Sequence, residues 1–434
     1  MTGLITKFLQ GVSGPITAVL VLQFFDPKIQ GYYYTFGSLL ALQIFVELGL
    51  SAVITTFAAH EWSELSISES GLIVGNPIAL SRLAAITRYA FRWYVVGAAL
   101  LLVVLLVVGL WFLGARYDVG DVNWVAPWIA LSFIASAIFA LTPAWAILTG
   151  CGQIGSVNSY RLFESVLRSP VIWVAIALGA SLWATVFAAG VTLLASIYFL
   201  LTRYRAFFVS LSQVSKLDGW NWRKEVGPLQ MKVGLAWLSG YFAFSLFTPA
   251  TFYLLGPAAA GQVGMTWSFV SALSGLASTM VQVRSPQFAS LVSRGNFSEL
   301  DELARKTVWF APGICLAGAI CGIAVLVTLD NYRPEFAVRF LPIGAVVLFM
   351  FAEVLHQISM VQSTYLRAFK KEPFFWLSWV TAGTIGLGTI FLTPRLGGYG
   401  SAVSYLAGIC IALLWGTMIF IKYRREWTFP RVPR

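Results

Sequence analysis

Long apolar stretches separated by short polar ones run along the whole chain. A helix needs about 20 residues to cross the roughly 30 Å hydrocarbon layer of a bilayer, and twelve of the stretches reach that length. The pattern therefore predicts an all-α membrane protein with about twelve transmembrane helices. The predicted spans are residues 3–24, 33–59, 91–114, 124–149, 157–179, 181–202, 230–254, 262–284, 307–329, 337–362, 374–393 and 399–421.

The composition points to the same class of protein. Of the 434 residues, 58% are hydrophobic and 11% are charged, whereas a soluble domain carries about 25% charged residues. The net charge of +11 would suggest nucleic-acid binding in a soluble protein. Here the basic residues lie between apolar stretches, where membrane orientation accounts for them. No nucleic-acid partner is expected.

The Lys and Arg residues are concentrated in alternate loops. Cytoplasmic loops carry an excess of these residues, and a missed span would scramble the alternation from that point onward. All but five of the 29 Lys and Arg residues fall on one side, which we assign to the cytoplasm. The alternation favours twelve spans with both termini in the cytoplasm. The five outer residues are Lys28, Arg116, Arg333, Arg339 and Arg395.

A polar stretch near the middle of the chain leaves six spans on either side. We expect an N-terminal six-helix bundle at 1–203, a cytoplasmic amphipathic linker at 204–229, and a C-terminal bundle with a basic tail at 230–434. Within the linker, Trp220 and Trp222 are interleaved with charged residues, which is typical of a helix at the membrane interface.

The two halves begin in the same orientation, which indicates a parallel duplication. Such repeats are related by a pseudo-two-fold axis along the membrane normal. The segments that open the second and eighth spans support this prediction, because they place Gly31 and Gly261 in register.

Ionisable residues inside the spans are few, and each is costly unless it faces protein or water. In the second span Gln43, Glu47, Ser51 and Thr55 recur every four residues and form one polar stripe. Glu47 lies near mid-membrane. It is either a site for a coupling proton or sodium ion, or a structural partner of a neighbouring helix.

The tenth span carries a second candidate for ion coupling. Glu353 and His356 are three residues apart and can share a proton on one helix face, with Gln357 beside them. The alternative is an ion pair without transport function, in a region that water penetrates.

Positive charge is concentrated at the start of the fifth span. Arg161, Glu164 and Arg168 share one helix face with a net positive charge, which suits a pyrophosphate because guanidinium groups present several donors in a planar fork. Lys232 and Arg284 occupy similar places on the seventh and eighth spans. The alternative is that these cations extend to lipid headgroups and fix the topology.

The eighth span also carries a polar face. Ser271, Ser274, Ser278 and Gln282 recur along it and are candidates to line a sugar path. The alternative is that the small serines mark close helix packing.

Several short motifs resemble the polysaccharide flippases of the MATE-like (multidrug, oligosaccharidyl-lipid and polysaccharide) exporter superfamily. The resemblance implies two six-helix bundles around a central cavity. Members that export the lipid-linked peptidoglycan precursor usually carry fourteen spans, two more than are predicted here. The motifs are Gly31-Tyr32-Tyr33, Glu47-Leu48-Gly49-Leu50, the segment from Gln230 to Tyr241, Gly261-Gln262-Val263-Gly264-Met265, and the segment from Leu366 to Lys371.

The resemblance and the cationic residues together predict a flippase. Its cargo would be an anionic oligosaccharide on a polyprenyl pyrophosphate, moved to the outer leaflet of a bacterial-type plasma membrane by alternating access. Membrane lipids, this glycan and other polysaccharide-assembly membrane proteins are the expected partners. No motif for ATP hydrolysis, metal binding or a catalytic nucleophile is present, so no cofactor is expected. Uphill transport would use a proton or sodium gradient, the membrane potential or consumption of the substrate on the far side.

Two alternatives remain open. A drug or metabolite antiporter of the same superfamily is expected to use acidic cavity residues for cationic substrates. A membrane-embedded glycan polymerase is expected to need a large outer loop, whereas the predicted outer loops are about ten residues or shorter.

Overall fold

A computed structural model of the chain describes residues 2–68, 72–114, 122–214, 222, 226–369 and 371–428, without the side chains of 2–12, 228, 229, 232 and 428. Within these ranges the secondary structure consists of helices and one short hairpin, joined by turns. The helices are α1 (Thr2–Phe24), α2 (Pro27–Leu40), α3 (Gln43–Glu47), α4 (Leu50–Trp62), α5 (Pro77–Gly114), α6 (Val125–Gly150), α7 (Ile154–Ala177), α8 (Trp183–Arg203), α9 (Arg205–Gln213), α10 (Gly227–Phe244), α11 (Phe247–Leu255), α12 (Pro257–Ser293), α13 (Phe297–Tyr332), α14 (Pro334–Ala337), α15 (Ile343–Arg367), α16 (Phe375–Leu396) and α17 (Gly398–Thr428).

Each of the twelve predicted spans coincides with one helix or one bent helix pair. Among the described residues, seven helices are long and apolar enough to cross a membrane, or nine when each of two bent pairs counts as one span. The α2–α4 pair bends by 49° and the α10–α11 pair by 45°. The remaining predicted spans correspond to α1, α7 and α12, the last two of which carry the arginines and serines singled out above. The prediction of an all-α multi-pass membrane protein is confirmed.

Two features of the segment before the third span differ from the prediction. Helix α5 begins at Pro77, 14 residues before the predicted span begins at residue 91, so the helix extends beyond the apolar stretch. Its first turns carry Arg82 and Arg88, which hydropathy alone assigns to a loop. The same segment holds an antiparallel hairpin of β1 (Leu65–Ile67) and β2 (Ile73–Gly75), with Ser66 opposite Val74.

The chain forms two compact units, and neither is continuous in sequence. Unit one comprises Met1–Ser13 and Phe36–Leu238, and unit two comprises Gly14–Thr35 and Ser239–Arg434. The division into 1–203, 204–229 and 230–434 remains a prediction. Residues 215–221 and 223–225 of the linker lie outside the described residues. Trp222 is buried, stacks on Tyr89 with ring centroids 3.9 Å apart, and donates to Gln230 over 3.2 Å.

In unit two, the start of α2 packs backbone against backbone on the start of α12. A side chain at Gly31 would overlap the carbonyl oxygen of Pro257, and a Cβ on Gly261 would lie 3.0 Å from the Gly31 nitrogen. The buried amide of Gln30 donates to the carbonyls of Gly261 (2.8 Å) and Arg339 (3.0 Å). The two glycines that align in sequence are therefore in contact, which explains why both positions lack a side chain.

This contact predicts that Gly31→Ala destabilises the protein. The added methyl meets backbone atoms that cannot move aside, and overpacking of this kind costs about 1–3 kcal/mol. The measurement is thermal unfolding of the purified protein in detergent. Gly37→Ala is the matched control on the same helix, because Gly37 has no atom within 4 Å of its would-be Cβ. Alanine there is expected to be neutral or stabilising. Equal midpoints for the two variants would contradict the packing argument.

Candidate functional site

The first candidate site lies in unit one, where the second predicted span is broken directly after Glu47. Leu48 and Gly49 both have left-handed backbone conformations, with φ of 49° and 65°. A side chain at Gly49 would be strained by this φ and would come within 2.6 Å of Val233 Cγ1 on α10. Glycine at this position allows the turn and the close approach of α10, and the turn places Glu47 at the end of α3.

The carboxylate of Glu47 is held by two hydroxyl groups. Ser51 donates to Oε1 over 2.5 Å, and the fully buried Tyr94 of α5 donates to the same oxygen over 3.2 Å. The polar stripe therefore continues across the break. It continues further to Thr55, which donates to the carbonyls of Ser51 and Ala146. The hydrogen bond from Tyr94 matches the structural alternative, in which Glu47 is a partner of a neighbouring helix. The coupling role of Glu47 remains a prediction.

Gln43 begins the stripe and is exposed. It lies one turn before Glu47 on the five-residue helix α3.

The second candidate site lies in unit two, where Glu353 of α15 is 1% exposed. An ionised carboxylate in such a place is stable only when donors replace its hydration. Four side chains from three helices surround it. They are Ser274 of α12 at 2.6 Å, His356 Nδ1 at 3.0 Å, Gln357 Nε2 at 2.9 Å and the Tyr405 hydroxyl of α17 at 2.6 Å.

Aromatic rings close one side of this cluster. Tyr405 is fully buried and packs against Phe247, Trp267 and Phe349 with ring centroids 5.2–5.7 Å apart. The side chain of His356 is 26% exposed and reaches the surface of the unit. Imidazole can carry a proton near neutral pH. The arrangement therefore places a titratable imidazole between the surface and a buried carboxylate. The role of Glu353 and His356 in ion coupling remains a prediction.

Two partners of Glu353 lie on other helices and do not follow from its local spacing. Ser274 belongs to the polar face of α12 that is predicted to line a sugar path, and Tyr405 belongs to α17. Local spacing identifies His356 and Gln357, because residues three and four apart share a helix face. Tyr405 lies 52 residues away on another helix, so only the packing of the helices reveals it.

The cationic face of α7 is present in unit one, but its arginines differ in their surroundings. Arg168 Nε lies 3.1 Å from Glu164 Oε1, and Thr192 of α8 donates to the same oxygen over 2.7 Å. Arg161 is exposed and forms no ion pair with any residue in the described ranges. The face therefore combines one neutralised arginine with one available charge.

The other two predicted cations are on separate helices. Arg284 of α12 is half-buried in unit two, donates to Thr307 over 2.9 Å and lies 5.8 Å from the ring centroid of Phe310. Its guanidinium is thus packed on α13. Lys232 belongs to α10, and its side chain lies outside the described part of the structure.

The polar face of α12 mostly serves its own helix. Ser271 donates to the Ser268 carbonyl over 3.0 Å, and the buried Ser278 donates to the Gly275 carbonyl over 3.1 Å. Gln282 is exposed. The local bonds of these serines match the packing alternative, and a sugar path along this face remains a prediction.

Several solved structures share this fold over nearly the whole chain. An inward-facing structure of a multidrug resistance MATE family transporter of the MOP superfamily has a TM-score of 0.72 at 13% identity, covering 97% of this chain and 96% of that one. The lipid II flippase MurJ in an inward closed conformation has a TM-score of 0.64 at 13% identity, with 98% and 90% covered. A MOP superfamily transporter from Pyrococcus furiosus has a TM-score of 0.56 at 16% identity, with 97% and 94% covered.

No protein-family model and no curated protein matches the sequence. At these identities the likeness establishes the fold, which is that of MOP superfamily transporters. The fold expected from the sequence motifs is thereby confirmed.

The Glu353 cluster predicts that Tyr405→Phe destabilises the protein. The change removes one of four donors from a buried carboxylate, and a hydrogen bond to a charged group contributes about 1.5–3 kcal/mol. Thermal unfolding in detergent is the measurement. Tyr399→Phe on the same helix is the control, because Tyr399 is 38% exposed and its hydroxyl has no partner among the described residues. A Tyr405 variant as stable as the control would show that its hydroxyl does not stabilise the carboxylate.

Proposed function

We propose that this protein is a flippase that moves an anionic, polyprenyl-pyrophosphate-linked oligosaccharide from the cytoplasmic to the outer leaflet by alternating access. The observation that carries the proposal is the cationic face of α7, with Arg161 exposed beside the Arg168–Glu164 pair, in a chain with the fold of a lipid II flippase. A bacterial-type plasma membrane and partnership with other polysaccharide-assembly membrane proteins belong to the same proposal.

The geometry of α7 suits a phosphate group. A guanidinium fork pairs with phosphate oxygens through two parallel hydrogen bonds. Arg161 has its charge available. The Arg168 side chain is 44% exposed, so it keeps donors that Glu164 does not use. Glu164 and Thr192 fix the position of Arg168, which lowers the entropy lost when an anion binds.

The energy source in this proposal is an ion gradient acting on the buried carboxylates. Glu353 and His356 form the better-enclosed candidate, because three helices supply donors to one carboxylate. Protonation of Glu353 would change the bonds between these helices. Glu47 is the candidate in unit one, at the break between α3 and α4.

A MATE-type drug or metabolite antiporter is the second candidate. The two carboxylates, Glu353 and Glu47, favour it, since cationic drugs and protons both bind acidic groups. A MOP superfamily transporter of this fold is described as having a binding pocket of reversed polarity. This supports the view that the sign of the charges, and not the fold, selects the cargo.

The test of the proposed cargo is a translocation assay in proteoliposomes with a defined lipid-pyrophosphate oligosaccharide. We expect the natural protein to move it, and Arg161→Ala combined with Arg168→Ala to lower the rate at least tenfold because the phosphate loses both guanidinium partners. The matched control is Arg82→Ala combined with Arg203→Ala, which removes two exposed charges of unit one outside this face. The control should retain the natural rate.

Two results would contradict this assignment. Equal rates for both double variants would remove the anion site from α7. Exchange of small cations for protons, with no movement of the oligosaccharide, would replace the flippase by the antiporter.

The coupling role of Glu353 is tested separately. Glu353→Gln keeps the shape of the side chain and removes its charge, so we expect transport that no longer responds to an imposed proton gradient. The measurement compares transport rates with and without the gradient, first for the natural protein and then for the variant. Glu47→Gln provides the corresponding measurement in unit one. If both variants keep the response of the natural protein, neither carboxylate carries the coupling ion.

A further inference from the structure

An apolar groove of about 460 Å³ runs along the surface of unit one between α5 and the α3–α4 break. We refer to it as the side groove. Phe45 and Leu48 form one wall, and Tyr89, Trp93, Val96 and Leu100 form the other. The distance along α5 from Arg92 to Leu100 is eight residues, or about 12 Å at the helical rise of 1.5 Å. The groove therefore extends along the helix over a length that suits part of a hydrocarbon chain.

The surroundings of the side groove are those of a membrane-facing surface. Helix α5 has a mean hydropathy of 2.9 in its most apolar window. Val95, Val96, Leu100, Val103 and Val107 on this helix are all 55–64% exposed. Apolar side chains exposed along a spanning helix contact lipid in the bilayer. The groove is lined by this same exposed helix, so lipid is the molecule available to fill it.

The chemistry at one end of the groove selects the headgroup. Arg92 is the charged residue of the lining, is exposed, and has no ion-pair or hydrogen-bond partner among the described residues. The indole N–H of the adjacent Trp93 is buried and also has no partner within the described ranges. Arg92 also lies on the side assigned to the cytoplasm, where headgroups of the inner leaflet are found. A single guanidinium matches the single negative charge of a phosphodiester.

We propose that the side groove is a binding site for one anionic phospholipid of the cytoplasmic leaflet. Its phosphodiester binds Arg92, and one acyl chain lies along Val96 and Leu100 against Phe45 and Leu48. This site is distinct from the cationic face of α7 and does not depend on the identity of the cargo.

The position of the groove gives the lipid a specific effect. Helix α3 has only five residues, and it carries both a wall of the groove and Glu47. Phe45 and Leu48 contact the groove, while Glu47 bonds to Ser51 and Tyr94. A bound acyl chain therefore stabilises the helix turn that positions this carboxylate.

The test is native mass spectrometry of the full-length protein in detergent, titrated with dioleoylphosphatidylglycerol or dioleoylphosphatidylcholine. We expect the natural protein to retain one phosphatidylglycerol in preference to phosphatidylcholine. Arg92→Gln should lower the affinity for phosphatidylglycerol about tenfold, because a charge-assisted bond to the phosphate is lost. The loss for phosphatidylcholine should be smaller, because its cationic choline group offsets the charge of the phosphodiester and leaves the headgroup neutral. Arg82→Gln is the matched control on the same helix and should behave as the natural protein.

A second variant tests where the acyl chain binds. Val96 is 64% exposed, so Val96→Trp fills the groove without disturbing the core, and it should abolish retention of the lipid. The proposal is overturned if Arg92→Gln and Arg82→Gln lower the affinity for phosphatidylglycerol equally, since the effect of removing a charge would then be general. It is also overturned if Val96→Trp retains phosphatidylglycerol as the natural protein does. Neither outcome bears on the flippase proposal, which is tested by transport.

Discussion

Backbone hydrogen bonding inside the hydrocarbon layer is the constraint on which the rest of this structure depends. An unpaired peptide group there costs several kcal/mol, and a helix pairs these groups within one segment. The break between α3 and α4 interrupts a span, but an amide on either side of it is paired. The Leu48 amide donates to the Ile44 carbonyl over 3.0 Å, and the Val53 amide donates to the Gly49 carbonyl over 3.4 Å. The span can therefore change direction beside Glu47 while these amides keep their partners.

The same constraint governs the two carboxylates, because a charge inside the protein also needs donors in place of water. Glu353 is almost fully buried and has four donors, whereas Glu47 is partly buried and has two. Protonation turns a carboxylate oxygen from an acceptor into a donor. At Glu353 this change affects contacts to α12 and α17 at once, whereas at Glu47 it affects contacts to α4 and α5. Both sites join helices through a group whose charge can change.

The sequence predicts the structural features that depend on a single helix. All twelve spans follow from hydropathy, and the pairing of Glu353 with His356 follows from helical spacing. The start of α5 at Pro77 was missed because its first turns are amphipathic and hydropathy detects only their apolar continuation. Contacts between distant segments, such as Tyr405 with Glu353 and Gly31 with Gly261, depend on the packing of helices. The glycine alignment indicated a repeat, but nothing in it indicated that the two residues meet.

The arrangement of charges on α7 also limits how tightly an anion can bind there. Glu164 pairs with Arg168 through Nε and is itself held by Thr192, so an anion that binds both arginines meets a smaller net positive charge. Arg161 alone offers an unopposed charge. A face of two free arginines would bind a pyrophosphate more strongly but would also release it more slowly. A transporter must bind its cargo well enough to admit it and weakly enough to release it. In the proposed role, Glu164 therefore tunes the affinity of the site, and its removal would strengthen binding while slowing turnover.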